Sequence, residues 1–373
     1  MEDNTNHFLE LIRRSHRGRF KIYIGMIAGV GKTYRMLQDA REMLRQGTDV
    51  QIGFVETHGR PDTVKALKGL PVIPRKRVFY KGKEIEEMDL DTILKVHPEI
   101  VIVDELAHTN VEGCRHAKRW QDVMELLDAG INVLSAVNIQ HIESLNDEVR
   151  TMVGIDVRER IPDSVIREAD EVVNIDLTAE ELVERLKAGK IYAKEKIQTA
   201  LDNFFKTDNI LQLRELALKE VALRVGKKVA DEVMPKTRNA RGVAKLVVCV
   251  SSNNATQQHI IRKAARMADI HDAELVALYV QTPGENTDSI PLNTQRHLIN
   301  HLELVVELGG KVHKVESDNV FQSIADFCRE QRATMLCMGQ PSLSLPRLLM
   351  KAGRYRRILA ELKEMGIDLM IIA

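Results

Sequence analysis

The stretch Ile22-Tyr23-Ile24-Gly25-Met26-Ile27-Ala28-Gly29-Val30-Gly31-Lys32-Thr33 constrains this chain more than any other. An apolar run enters a glycine-punctuated turn, and the turn opens into a helix expected from Thr33 to about Gln46, with Gly47 as its C-cap. Strand, glycine loop, Lys-Thr and helix, in that order, are what a polyphosphate requires. Glycines let backbone N–H groups close around phosphates, and a lysine supplies a point charge to the outer ones. A threonine hydroxyl suits Mg²⁺, and the helix N-terminus adds the positive end of its dipole. Gly29, Val30, Gly31, Lys32 and Thr33 are therefore the candidate ATP-binding residues, with Thr33 also a candidate Mg²⁺ ligand. Against the pattern G-x-x-x-x-G-K-[ST], the first glycine position holds Met26, and Gly25 lies one residue early.

The second signal is Ile100-Val101-Ile102-Val103-Asp104-Glu105. Four consecutive aliphatics predict a strand buried on both faces, as in a parallel sheet. The acids at its carboxyl end suit a Mg²⁺-associated carboxylate, Asp104, and a water-orienting base, Glu105, the one catalytic candidate. The two stretches together read as Walker A and Walker B motifs.

Polar groups leave two further predicted strands at their carboxyl ends, where open α/β sheets collect ligands. Glu56, His58 and Arg60 follow Gln51–Glu56, and either touch phosphate, Mg²⁺ or water, or form a solvated loop. Asn138 and Gln140 follow Asn132–Val137; one of them senses a terminal phosphate, or Asn138 merely caps a helix. Arg115, His116, Lys118 and Arg119 make a basic segment that covers the nucleotide, meets a neighbouring subunit, or is a charged helix face.

Composition narrows the classes. Lys+Arg and Asp+Glu balance at 54 each, and aromatics are 4%, so neither a bulk field nor stacking platforms argue for nucleic acid. Cys114, Cys249, Cys328 and Cys337 are widely spaced without a CxxC pair, which reads as reduced thiols of a soluble intracellular protein. No apolar run approaches a bilayer's span, and the polar N-terminus is no secretory signal.

Length predicts two to three domains. Residues 1–20 are a lead-in with Phe8, Leu9 and Ile12 at helical spacing, and 21–177 form the P-loop domain, closed by the strand Glu171–Ile175. Residues 178–232 form a helical extension for packing and spacing, and 233–243 a polar linker. From 244 to 373 a fresh series begins: strands Lys245–Val250, Glu274–Val280, Gly310–Val315, Thr334–Met338 and Asp368–Ile372, alternating with four helices. Ser251-Ser252-Asn253-Asn254 ends its first strand. Gly339 is the only glycine in Gly339-Gln340-Pro341-Ser342, too few for a glycine-rich nucleotide loop.

Met26–Thr33, Val55–Arg60, Asp104–Asn110, Lys118–Val123 and Asn138–Asp147 together resemble the cytoplasmic N-terminal region of the KdpD sensor kinases, over about residues 18–225. Residues 243–373 are similar to the universal-stress-protein domain that follows it. The resemblance implies an α/β architecture: a P-loop NTPase-like parallel-sheet domain with a helical extension, then a smaller doubly wound universal-stress-protein-like domain. It implies regulation of potassium-transport genes, on the cytoplasmic face of the membrane in full-length members. It also implies a second ligand: some members bind cyclic di-AMP through Ser-x-Ser, twenty residues, then Phe-Thr-Ala-x-Tyr. At that spacing Ser252, Ala277 and Tyr279 match, while Asn254, Leu275 and Val276 depart; Ser252, Asn254, Ala277 and Tyr279 are the candidate contacts.

In the family, membrane helices and a histidine kinase core follow. This sequence carries neither, and whether it is a short form or the input part of a kinase stays open, so autokinase activity is not transferred. The expected function is a regulatory ATP·Mg²⁺-binding module in two-component signalling. Its partners are a separate histidine kinase, a response regulator or a kinase part of its own, with a homodimer left open. A slow ATPase or small-molecule kinase, with Arg60 or Arg119 stabilising charge, is the second class, and a nucleotide-independent scaffold the third.

Overall fold

The alternation of aliphatic runs with glycine-ended helices already demands helices packed on parallel strands. The computed structural model describes residues 16–154, 156–233, 244–252, 257–285, 290–340, 356 and 358–372. The lead-in helix, most of the linker, Asn253, Asn254, Pro341, Ser342 and the helix expected from Leu348 fall wholly or partly outside these. Two units form, one from Met1–Ile161 and Val165–Val225, the other from Pro162–Ser164 and Gly226–Ala373. Among the described residues no helix is long and apolar enough to cross a membrane, and all four cysteines are free.

In the first unit, strands β1 (Phe20–Gly25), β2 (Val50–Phe54), β5 (Ile100–Val103), β6 (Asn132–Asn138) and β7 (Glu171–Ile175) build one sheet in the order β2-β5-β6-β1-β7. All its pairs are parallel. Successive residues serve opposite faces: Ile22 and Ile24 pack into one core and Tyr23 into the other, as Val101 and Val103 do against Ile102. Helices flank it: α1 (Lys32–Arg45), α2 (Pro61–Leu67), α3 (Leu90–Val96), α4 (Arg119–Asp128) and α5 (Asn146–Val153). Helices α6 (Asp163–Arg167), α7 (Ala179–Lys187), α8 (Lys194–Asp202) and α9 (Thr207–Val233) follow. Thr178 starts α7 with a reciprocal cap, its Oγ1 accepting from Glu181 N at 3.2 Å while Glu181 Oε2 accepts from Thr178 N at 3.0 Å.

The antiparallel hairpin β3 (Lys76–Tyr80) and β4 (Lys83–Glu87) was not foreseen. Its two-residue turn sets Lys81 at φ 47° and Gly82 at φ 78°, the conformation whose twist matches paired strands. The hairpin delivers Glu87 to the interior, where Arg119 also lies fully buried, 0% exposed. That corrects the reading of Arg119 as part of an exposed basic face or a charge-stabilising group at the nucleotide. Its Nη2 donates to Glu87 Oε2 at 2.8 Å, and its guanidinium lies 3.7 Å from the Phe54 ring centroid. Glu87 also accepts from His108 Nε2 at 2.9 Å and Val111 N at 3.1 Å. Burial pushes its carboxyl up, but His108, Arg119 and Val111 N outweigh this and hold it below the usual range.

The second unit holds β8 (Lys245–Val250), β9 (Glu274–Gln281), β10 (Lys311–Glu316), β11 (Met335–Gly339) and β12 (Asp368–Ile372), in the order β10-β9-β8-β11-β12, all parallel. Helices α10 (Gln257–Ile270), α11 (Leu292–Glu307) and α12 (Val320–Gln331) connect them, with cores on both faces. Starting at the middle strand and turning back, this order is the doubly wound arrangement expected.

Removing one member of a buried ion pair strands the other charge, at a cost of about 3–5 kcal/mol. Glu87→Gln should lower unfolding stability by about that much in urea melts. The Glu87→Leu/Arg119→Met double variant should lose less than Glu87→Gln alone.

Candidate functional site

The loop between β1 and α1 has the shape its glycines permit. Gly29 sits at φ 93° and Gly31 at φ 107°, left-handed values that cost a side chain strain. Met26, Ile27 and Val30 are buried, so the residue at the missing glycine position points into the core. Gly25 supplies the clearance instead: a Cβ there would lie 2.5 Å from Val30 Cγ2. Lys32, 9% exposed, places Nζ 3.2 Å from Ile27 O and donates to Asn138 Oδ1. Burial pulls its ammonium down to about 8, against the upward pull of Asp104 and Glu105.

The sheet order explains which groups meet. Strand β6 lies between β1 and β5, so the carboxyl ends of the three put Lys32, Asn138 and Asp104 side by side. Thr33 Oγ1 donates to Asp104 Oδ2 at 2.9 Å. Asp104 is 3% exposed, and burial, then the neighbouring Glu105, pushes its carboxyl up to about 6. Among the described residues no cluster of three or more His, Cys, Asp or Glu could hold a metal. A Mg²⁺ site needs none, because one carboxylate, a hydroxyl, waters and substrate phosphates suffice. Thr33 and Asp104, already within bonding distance of each other, fit that donor set.

Glu105 occupies a left-handed turn, φ 54°, and its Oε1 lies 3.2 Å from His58 Nε2. That hydrogen bond, working against burial, lowers the Glu105 carboxyl to about 2, and it raises the His58 imidazole. Arg60, beyond His58, donates from Nε to Ile191 O at 3.4 Å.

These groups open onto a cavity of about 800 Å³, within the range that buries a small ligand. Gly29, Val30, Gly31, Lys32, Thr33, Asp104, Glu105 and Asn138 all line it. Glu56 and Gln140 do not. Glu56 Oε1 accepts from His58 N at 3.3 Å, and its Oε2 lies 3.6 Å from Arg75 Nη1. Gln140 keeps a buried Oε1 without a partner among the described residues. Among the lining groups not singled out from the sequence are Arg35, Asp62, Arg185 and Lys190, and His141 lines the cavity too. His141 Nδ1 is 2.6 Å from Glu159 O, so that nitrogen donates and Nε2 is left as the ring's acceptor. Burial lowers its pKa.

A separate cavity of about 340 Å³ opens at the carboxyl ends of β8 and β9. Tyr279 lines it with a buried hydroxyl that finds no partner among the described residues, and burial raises its pKa. Ser251 Oγ donates to Gln257 Oε1 at 3.0 Å beside it, and Ser252 Oγ donates to Glu285. Ala277, two residues before Tyr279 and 0% exposed, belongs to the core beneath. Asn254 is outside the described residues.

The family model for KdpD, the osmosensitive K⁺ channel His kinase sensor domain, matches residues 16–225. Sensor protein KdpD of Escherichia coli (strain K12) is 39% identical over 349 residues, 92% of this chain and 38% of that protein. Sensor protein KdpD of Mycobacterium tuberculosis (strain CDC 1551 / Oshkosh) is 41% identical over 95% of this chain and 41% of that protein. This chain thus spans about two fifths of those two relatives. It spans 94% of the putative sensor protein KdpD of Synechocystis sp., 41% identical over 96% of this chain. A universal stress protein structure from Archaeoglobus fulgidus aligns at 16% identity and TM-score 0.28, covering 35% of this chain and 100% of that one. On the family-model match and these relatives, the chain belongs to the KdpD sensor-domain family.

Proposed function

We propose that the chain is a regulatory ATP-binding input module of two-component signalling in potassium and osmotic homeostasis. A histidine kinase or response regulator would receive its output. The observation that carries this reading is the convergence of Lys32, Thr33, Asp104 and Asn138 on one ligand-sized cavity. Arg60 adds positive charge to its lining, as a polyphosphate needs. Mg²⁺, held through Thr33 and Asp104, would neutralise phosphate charge there.

Binding, more than turnover, fits the state of Glu105. A general base works best with a pKa near the operating pH, and the hydrogen bond from His58 holds the Glu105 carboxyl down at about 2. Slow hydrolysis remains the second reading, favoured by the same carboxylate lining the cavity. For the second unit we infer an adenine nucleotide such as cyclic di-AMP. Support comes from the unsatisfied Tyr279 hydroxyl, a buried donor that a ligand could complete.

Calorimetry tests the first site: Lys32→Ala should weaken ATP·Mg²⁺ binding at least about 100-fold, the loss of charge-assisted hydrogen bonds. Unchanged ATP heat would remove the P-loop reading.

Asp104 adds a pH signature. Its pKa is raised in the folded chain from 3.8 to about 6, so the folded state holds the proton more tightly. Ligand-free stability should therefore fall as pH rises from about 4 to about 6. Asp104→Asn should flatten that fall and raise ligand-free stability at neutral pH by about 1–3 kcal/mol, while weakening the Mg²⁺ dependence of ATP binding. Thermal melts across pH check the first effect, and titrations with and without Mg²⁺ the second.

Cyclic di-AMP should give binding heat with the wild-type chain and none with Tyr279→Ala. No heat with the wild type would exclude this ligand.

A further inference from the structure

The groups just described account for one end of the cavity. Lys32, Asn138, Asp104 and Glu105 sit over β1, β6 and β5, where metal and terminal phosphate belong on the proposed reading. In the sheet order, β1 has β6 on one side and β7 on the other. A triphosphate wrapped by the β1 loop, with its terminal end toward β6 and β5, has room for its remaining part toward β7. The cavity continues there, lined by Ile175 at the end of β7, Arg185 on α7, and Ala188, Gly189 and Lys190 just beyond that helix.

Arg185 is the notable member of this wall. Its Nη1 donates to Gly29 O at 3.3 Å and lies 3.7 Å from where a Cβ on Gly31 would stand. The guanidinium therefore rests on the phosphate loop although it comes from a different element. That single hydrogen bond is long, and among the described residues no ion pair holds the group. The wall itself is well anchored. Leu182 and Leu186 are 0% exposed, and Ile191 packs so tightly on Gly29 that a Cβ there would lie 2.4 Å from its Cδ1.

We propose that Ile175, Arg185, Ala188, Gly189 and Lys190 form the nucleoside subsite of this cavity, with Arg185 covering the nucleoside. A planar guanidinium offers a stacking face to a base, which a lysine does not. The proposal rests on the P-loop reading, and it assigns Arg185 to the part of the ligand that ATP and ADP share.

The test is calorimetry on the full chain with ATP, ADP and inorganic tripolyphosphate, each with Mg²⁺. Arg185→Ala and Arg185→Gln are compared with wild type and Lys32→Ala; Arg185 is exposed, so neither change empties a core. Both Arg185 variants should weaken ATP and ADP by the same factor, about 3- to 30-fold for a lost stacked cation, and leave tripolyphosphate within about twofold of wild type. Loss for ATP but not ADP would overturn the proposal by moving Arg185 to the terminal phosphate. Equal loss for tripolyphosphate, or no loss for any ligand, would also overturn it. If Lys32→Ala bound ATP as the wild type does, the P-loop reading and this subsite would fall together. Normal dependence on Lys32 with silent Arg185 variants would overturn the subsite alone.

Discussion

An ammonium group taken out of water needs partners, and the placement of Lys32 organises the first unit around that need. Its Nζ is served by Ile27 O from its own loop and by Asn138 from β6, with Asp104 close enough to counter the effect of burial. Each partner comes from a separate strand end. They coincide only because β6 is inserted between β1 and β5. Topology and electrostatics therefore impose the same arrangement. The resulting cluster holds a carboxyl pushed up and an ammonium pulled down, the perturbed pairing typical of functional sites.

Much of this was legible in the sequence because the relevant signals are local. Glycines at 29 and 31 must be glycines where φ is strongly positive, and the aliphatic run before Asp104 can only be a strand with both faces covered. The five strands of the second unit stood out for the same reason: short apolar runs between amphipathic helices. What stayed hidden depends on contacts distant in sequence. Arg119 looks like part of a basic surface among Arg115, His116 and Lys118. Only the hairpin ending in Glu87, thirty-two positions earlier, turns it inward. That hairpin was itself obscured, because its strands are mostly charged and its turn carries Lys81 where asparagine or aspartate would have announced it.

Chemically apt residues also part company once folded. Glu56 and Gln140 each follow a strand end as Asp104 and Asn138 do, yet one turns to Arg75 and the other inward. For Glu56, β2 stops two residues short, at Phe54 and not at Glu56. Conversely Arg185 and Lys190 carry no motif. They belong to a helical stretch read as spacing, and only the tertiary fold returns them to the phosphate loop.

That return has a consequence for signalling. The helical extension touches the loops after β1 and β2 through Arg185 at Gly29 O, Ile191 against Gly29, and Ile191 O receiving Arg60. A ligand shifts a conformational equilibrium only by the difference in its affinity for the two states. Nucleotide that drew Arg60 toward phosphate, or Arg185 toward a base, would act directly on the segment connecting α7 to α8. The sheet is packed on both faces and resists small displacements. The connecting turn around Lys190 is exposed on the cavity's rim. On the proposed reading, occupancy of the cavity would be transmitted through the extension, at its contact with the β1–α1 loop.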